Sequence, residues 1–86
     1  MKYEVKLSKN AQKQLSQIAS YQAERILVKT YALAHNPFPP SSKSLAGQPG
    51  YRLRIGNYRV LYEVYRHELI IQVIRIGHRK EVYRVK

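Results

Sequence analysis

Two segments in the second half of the chain alternate apolar and polar residues with a period of two. They cover residues 51–55 and 58–64, and Gly56 and Asn57 lie between them. A two-residue link of this kind is a strong hairpin signal, because primed turns need the positive φ that glycine and asparagine tolerate. The sequence therefore predicts a β-hairpin whose strand register is fixed by its turn.

The predicted register sorts the hairpin residues onto two faces. Arg54 lies directly opposite Arg59, and Arg52 shares their face. Two facing arginines cost a few tenths to about 1 kcal/mol relative to a neutral pair, so stability alone does not explain them. A merely solvated surface would usually mix charge signs. The other face is predicted to be core and carries Tyr51, Leu53, Ile55, Tyr58, Val60, Tyr62 and Val64.

Further alternation predicts one strand after the hairpin and one at the start of the chain. Residues 65–68 have the composition of a second tight turn, which pairs Val64 with Leu69, and residues 2–7 also alternate. This pairing places Leu69, Ile71 and Val73 on the core face. The residues expected on the arginine side are Ile70, Gln72, Ile74 and Ile76.

Between the first strand and the hairpin, apolar residues recur at helical spacing. Ser8 is a suitable N-cap for a short amphipathic helix, and a second helix follows a break near Ser20. Pro37 disfavours helical geometry at the preceding residue, so the second helix should end near His35. Residues 36–50 are rich in Pro, Gly and Ser and predict a long connection.

Together these elements predict an α+β fold. A two-helix hairpin packs on a small, mainly antiparallel four-stranded sheet, in the order β-α-α-β-β-β. With 86 residues, the chain is expected to form one domain, 1–86.

The charge favours a polyanionic partner. Lysine and arginine number 16 against 5 acidic residues, a formal net charge of +11, which suits nucleic acid, an anionic membrane or an acidic protein. Of the arginines, only Arg25 precedes residue 51, so the C-terminal half is predicted to handle phosphate. No run of about 18 apolar residues suggests a membrane span. Without cysteine or a histidine cluster, we expect a cytoplasmic protein without metal or cofactor.

Six residues form the candidate site. They offer guanidinium groups for phosphate, one imidazole and one aromatic ring, which suit RNA cleavage by 2′-hydroxyl attack. The five acids include no pair placed as in a two-metal site, so metal-independent chemistry is expected. The six candidates are Arg52, Arg54, Arg59, His78, Arg79 and Tyr83.

The order of elements and the residues of the hairpin and the closing segment resemble the RelE/ParE superfamily of type II toxin-antitoxin toxins, and within it the RelE branch. The match is close over residues 36–84. The resemblance implies a cytoplasmic, ribosome-dependent mRNA endonuclease that cuts in the ribosomal A site and inhibits translation. It also implies a cognate antitoxin that holds the toxin in a hetero-oligomer.

The resemblance assigns roles by position. Arg52 and Arg54 match two basic residues of the family's second strand, and Arg59 matches its phosphate-binding arginine. Arg79 matches the arginine that stabilises the transition state or protonates the leaving group, and Tyr83 matches the base-stacking tyrosine. His78 matches a position where a sister branch has its catalytic histidine.

One departure from the RelE pattern concerns the general base. The best-known members have lysines at the positions of Arg52 and Arg54, and a guanidinium cannot accept the 2′-hydroxyl proton at pH 7. His78, Tyr83 or solvent must then take it. Two other functions stay open: a ParE-type toxin that poisons DNA gyrase without cutting RNA, and a module that binds nucleic acid or antitoxin without catalysis.

Overall fold

A helical layer packs on a five-stranded sheet in the computed structural model, which describes residues 2–78. The strands run in the spatial order β1-β5-β4-β3-β2. β1 is parallel to β5, and the other neighbours are antiparallel. The elements are β1 (Glu4–Leu7), α1 (Lys9–Ser16), α2 (Ser20–Tyr31), a 3-10 turn (Ala32–Ala34), β2 (Ser42–Ser44), β3 (Tyr51–Ile55), β4 (Tyr58–Tyr65) and β5 (Ile70–His78).

The predicted start of the first helix is confirmed. Ser8 is the N-cap of α1, and its Oγ accepts a hydrogen bond from the Ala11 N–H at 3.0 Å. α2 ends at Tyr31, and the 3-10 turn continues the helical segment to Ala34, with His35 as its C-cap two residues before Pro37. The helices cover one face of the sheet, where the buried apolar side chains meet. The core consists of Ala11, Ile26, Leu33, Leu53, Ile55, Val60, Tyr62, Ile71, Val73 and Ile76.

The hairpin register is also confirmed. β3 and β4 pair Ile55 with Tyr58 and Arg54 with Arg59. Gly56 has a φ of 59°, whereas Asn57 has a negative φ, which is the pattern of a type II′ turn with glycine first. The turn and the alternating side chains therefore specify the same pairing.

The sheet has five strands, where the sequence predicted four. The additional strand, β2, lies inside the connection at residues 36–50 and pairs Lys43 with Arg52. Backbone hydrogen bonds fix both of its ends, from the Leu45 N–H to Gly50 O at 3.0 Å and from the Arg54 N–H to Ser41 O at 3.1 Å. Its three residues are too few and too polar to show an alternating pattern.

Tyr62 anchors the same connection to the core. Its side chain is fully buried, and its hydroxyl donates to Pro37 O at 2.6 Å. Burial raises the pKa of this phenol above its ordinary value. Tyr51 stacks on Tyr62 at 5.7 Å between ring centroids, and Phe38 packs edge-on against Tyr51 at 5.0 Å.

The second turn lies one residue further along the chain than predicted. Tyr65 pairs with Ile70 across a four-residue turn, so Val64 lies opposite Ile71 and not Leu69. Leu69 belongs to the turn and has a φ of 57°. Because the register moves by two residues, Ile71 still faces the core, as predicted.

A β-bulge in β5 changes the alternation after Val73. Tyr62 pairs with Val73, but Leu61 pairs with Arg75, so Ile74 has no residue opposite it. Ile76 consequently faces the core and is fully buried, and its predicted place beside the arginines is wrong.

Helix α1 satisfies the backbone of β5 at this bulge, beyond the end of β1. The Ser8 N–H donates to Val73 O at 2.9 Å, and Ser8 Oγ donates to Ile74 O at 2.9 Å. Gln14 Oε1 accepts from the Ile76 N–H at 2.8 Å. Backbone polar groups at a strand edge need hydrogen-bond partners. Here Ser8 and Gln14 supply the partners that a longer β1 would otherwise provide to β5.

Candidate functional site: a cationic sheet face

The sheet face opposite the helices carries basic side chains on four neighbouring strands. Arg54 pairs with Arg59, which in turn lies opposite Gly77. A second row, two residues further along the strands, runs from Lys43 through Arg52 and Leu61 to Arg75. Such rows lie about 7 Å apart, and neighbours within a row about 5 Å apart. We call five side chains the cationic face: Lys43, Arg52, Arg54, Arg59 and Arg75.

The two paired arginines differ sharply in exposure. Arg54 is exposed, whereas only 5% of Arg59 is exposed. Arg59 Nη1 donates to Tyr58 O at 3.1 Å and lies 3.5 Å from Gly56 O, so the guanidinium folds back toward the hairpin turn. Its buried Nε has no hydrogen-bond partner among residues 2–78. Arg59 thus holds a fixed positive charge with an unused donor.

An acidic side chain borders the cationic face along β4. Glu63 pairs with Gln72 and follows Leu61 on the same face. Its carboxylate accepts a hydrogen bond from the Tyr65 hydroxyl, and this bond raises the pKa of Tyr65. The five members of the cationic face include no acid, so they present concentrated positive charge at the hairpin end of the sheet.

His78 lies on the other side of the sheet from the paired arginines. It pairs with Tyr58, whose ring it contacts edge-on at 5.8 Å between centroids. Cross-strand partners share a face, so His78 lies on the helix side. The bulge at Ile74 is the cause, because uninterrupted alternation would have placed His78 on the same face as Arg59.

The structure thus brings together three of the six predicted site residues, Arg52, Arg54 and Arg59. Arg79 and Tyr83 lie outside the described residues. Within residues 2–78, no group of three or more His, Asp or Glu side chains could hold a metal ion. None of the helices in this part of the chain is long and apolar enough to cross a membrane.

Sequence reasoning missed two members of the cationic face. The pattern does not indicate Lys43, because its short strand lies in a segment that predicts a loop. It does not indicate Arg75 either, because alternation from Ile71 and Val73 places that residue on the core face. That placement was the available signal, since a charged residue at a core position conflicts with the pattern and indicates a bulge.

Comparison with known proteins identifies the fold as that of a toxin family. A family model described as the ParE toxin of type II toxin-antitoxin systems matches residues 5–83. The chain belongs to this ParE toxin family.

The relatives of this ParE-family toxin include RelE proteins, which confirms the resemblance to the RelE branch. A curated Escherichia coli protein named as RelE-like toxin is 29% identical over 82 residues, covering 93% of this chain and 86% of that protein. The archaeal RelE in the RelE-RelB complex from Pyrococcus horikoshii is 29% identical, with a TM-score of 0.80 over 94% of this chain and 99% of that chain. A mutant of E. coli toxin RelE in the free state is 25% identical, with a TM-score of 0.81 over 96% and 92% of the two chains.

These relatives match the described architecture of two helices on a mixed sheet. The chain is therefore a RelE-like toxin of a type II toxin-antitoxin system. In this ParE-family toxin, the cationic face is a cluster of five basic side chains on the side of the sheet opposite the helices.

Proposed function

We propose that this ParE-family toxin is a ribosome-dependent mRNA endonuclease that inhibits translation in the cytoplasm. The observation that supports the proposal most is the pairing of Arg54 with Arg59, beside a second row of cations on one sheet face. A like-charge pair destabilises the fold. The same two guanidinium groups would stabilise a transition state in which negative charge develops on the phosphate oxygens. Metal-free cleavage by the neighbouring 2′-hydroxyl generates such a state.

In the proposed reaction, the 2′-oxygen bonds to the adjacent phosphorus while the bond to the 5′-oxygen breaks. The products are a 2′,3′-cyclic phosphate and a 5′-hydroxyl. Arg52, Arg54 and Arg59 bind the phosphate oxygens and offset the charge that develops on them. Arg79 is proposed to assist the leaving oxygen and Tyr83 to stack on a base, as the resemblance implies.

The proton of the 2′-hydroxyl passes to solvent or to a group other than the strand arginines. His78, the histidine candidate, lies on the helix side, where it contacts Tyr58. The RNA would have to bend around the hairpin end of the sheet to reach it. The proposal therefore favours a site that works by positive charge, in which the ribosome orders the mRNA.

The test is single-turnover cleavage of a defined mRNA, with and without programmed ribosomes. We expect cleavage by the wild-type toxin only when ribosomes are present. Arg54→Ala should slow it by about 30- to 1000-fold, equivalent to about 2–4 kcal/mol. Lys13→Ala, which removes an exposed lysine from α1, is the matched control and should cleave normally. A toxin that cuts no RNA in either arm but inhibits DNA gyrase would replace this proposal with the ParE-type function.

We also propose that a cognate antitoxin covers the cationic face. The P. horikoshii relative is in complex with RelB. Leu61 and Ile70 are half-buried on this face and Ile74 is 37% exposed, so an acidic amphipathic segment would find both charge and apolar contact there. The affinity of the complex should fall as salt rises, and an affinity independent of ionic strength would contradict this placement.

A further inference from the structure

A polar cleft lies between the tip of the β3–β4 hairpin, the first turns of α2 and the end of β5. One cavity of about 210 Å³ is lined by Gln22, Arg25, Asn57, Tyr58 and His78, with Ile26 and Ile55 also in its wall. A neighbouring cavity of about 460 Å³ shares Tyr58 and His78 and is lined by Gln14 and Gln17. The larger volume lies within the range of about 300–1,000 Å³ that is typical of small-ligand sites, and the smaller cavity adjoins it.

Arg25 gives the cleft its charge. It is the one arginine of the chain before residue 51, so it stands apart from the arginines of the cationic face. A Cβ added at Gly56 would lie 3.8 Å from Arg25 Nη1, which shows that the guanidinium reaches from α2 to the hairpin turn. No carboxylate from residues 2–78 lines either cavity. The cleft therefore favours the binding of an anionic group.

The other lining groups suit a planar, polar ring. The amides of Gln22 and Asn57 each present a donor beside an acceptor, the pattern that reads the edge of a nucleobase. Tyr58 and His78 contribute aromatic surface of the kind on which bases stack. Within residues 2–78, the Gln22 amide donates one local hydrogen bond, from Nε2 to the Tyr21 hydroxyl at 3.2 Å, so no bond to another element holds it.

From these observations we infer that the cleft binds one nucleotide, with its base between the amides and the aromatic rings and its phosphate on Arg25. Residues 55–58 of the hairpin tip line the cleft, and Arg54 and Arg59 flank this segment directly in the chain. A single RNA strand on the cationic face can therefore continue around the tip into the cleft. The site goes beyond the proposed cleavage and would exist in a toxin that cuts no RNA.

The test is a titration of the full-length ¹⁵N-labelled toxin with the four nucleoside monophosphates. NMR measures the chemical shifts of its backbone and side-chain amides at each step. Parallel arms use the matching nucleosides, inorganic phosphate, a short non-cleavable 2′-deoxy oligonucleotide and an acidic peptide. We expect nucleotides and the oligonucleotide to shift the side-chain amides of Gln22 and Asn57. Arg25→Gln should weaken nucleotide binding at least tenfold and leave nucleoside binding unchanged, whereas Asn57→Ala should weaken both.

Lys29→Ala, an exposed cation one turn further along α2, is the matched control and should bind like the wild type. Well-dispersed spectra will show that each variant is folded. Three results would overturn the inference. In the first, nucleotides shift only amides of the cationic face. In the second, inorganic phosphate gives the same shifts as the nucleotides and nucleosides give none. In the third, the acidic peptide binds the cleft and nucleotides do not.

Discussion

Arg59 is placed where neither packing nor electrostatics favours it. Its guanidinium is nearly buried, its Nε has no partner within residues 2–78, and Arg54 lies directly across the strand pair. An unsatisfied buried donor and a like-charge pair both oppose folding. Local conflicts of this kind concentrate at functional sites, where selection acts on chemistry more than on stability.

Removing the exposed partner should therefore separate stability from activity. We predict that Arg54→Ala leaves the free energy of unfolding unchanged or raises it by a few tenths of a kcal/mol, because it relieves the repulsion on Arg59. Urea unfolding measures this change. A loss of more than about 1 kcal/mol would show that Arg54 supports the fold, contrary to its exposure.

Tyr62 stabilises the fold through a buried hydrogen bond. We predict that Tyr62→Phe lowers the free energy of unfolding by about 1–3 kcal/mol at pH 7, because Pro37 O loses its hydrogen-bond donor. Thermal or urea unfolding measures the loss. Tyr65→Phe, at an exposed phenol, is the control and should cost little.

The same substitution should change the response to alkaline pH. Since burial raises the pKa of folded Tyr62 above the unfolded value of about 10, its stabilising contribution is complete below pH 10. It is lost as the pH rises through the folded pKa. The gap between wild type and Tyr62→Phe should thus narrow above pH 10, and a gap that widens there would contradict the assignment.

Among the elements, β3 and its pairing with β4 could be predicted in full, because a two-residue turn and strict alternation specify the same register. β2 could not, since its three polar residues are held by backbone hydrogen bonds that leave no trace in the pattern. The placement of Ile76 and His78 failed for another reason. The bulge at Ile74 depends on Ser8 and Gln14 reaching β5 from more than 60 residues away along the chain.

The bulge gives a direct test on two neighbouring isoleucines. We predict that Ile76→Ala lowers the free energy of unfolding by about 2–4 kcal/mol, because it opens a cavity in the core. Ile74→Ala, at a side chain that is 37% exposed, should cost less than about 1 kcal/mol. Equal losses in urea unfolding, or a larger loss at Ile74, would mean that the strand alternates without a bulge.

On the scale of the whole molecule, the fold places six of its basic residues in two separate groups. The sheet collects Lys43, Arg52, Arg54, Arg59 and Arg75 on one face, and Arg25 lies beyond the hairpin tip on the other. Charge composition alone predicted a polyanionic partner but not this division, which arises from strand pairing between distant segments. A flexible polyanion that bends around the hairpin tip would contact both groups.

The salt dependence of RNA binding tests how many of these cations contact phosphate. Each contact to a single strand contributes about −0.7 to the slope of log K against log salt, because binding releases condensed counterions. We predict that Lys43→Ala makes the slope for a non-cleavable 2′-deoxy oligonucleotide shallower by about 0.7. Lys13→Ala removes the same charge from α1 and should leave the slope unchanged, since α1 lies on the other side of the sheet. Fluorescence anisotropy across a salt series measures both slopes. Equal changes in the two variants would show that net charge, rather than the cationic face, governs binding.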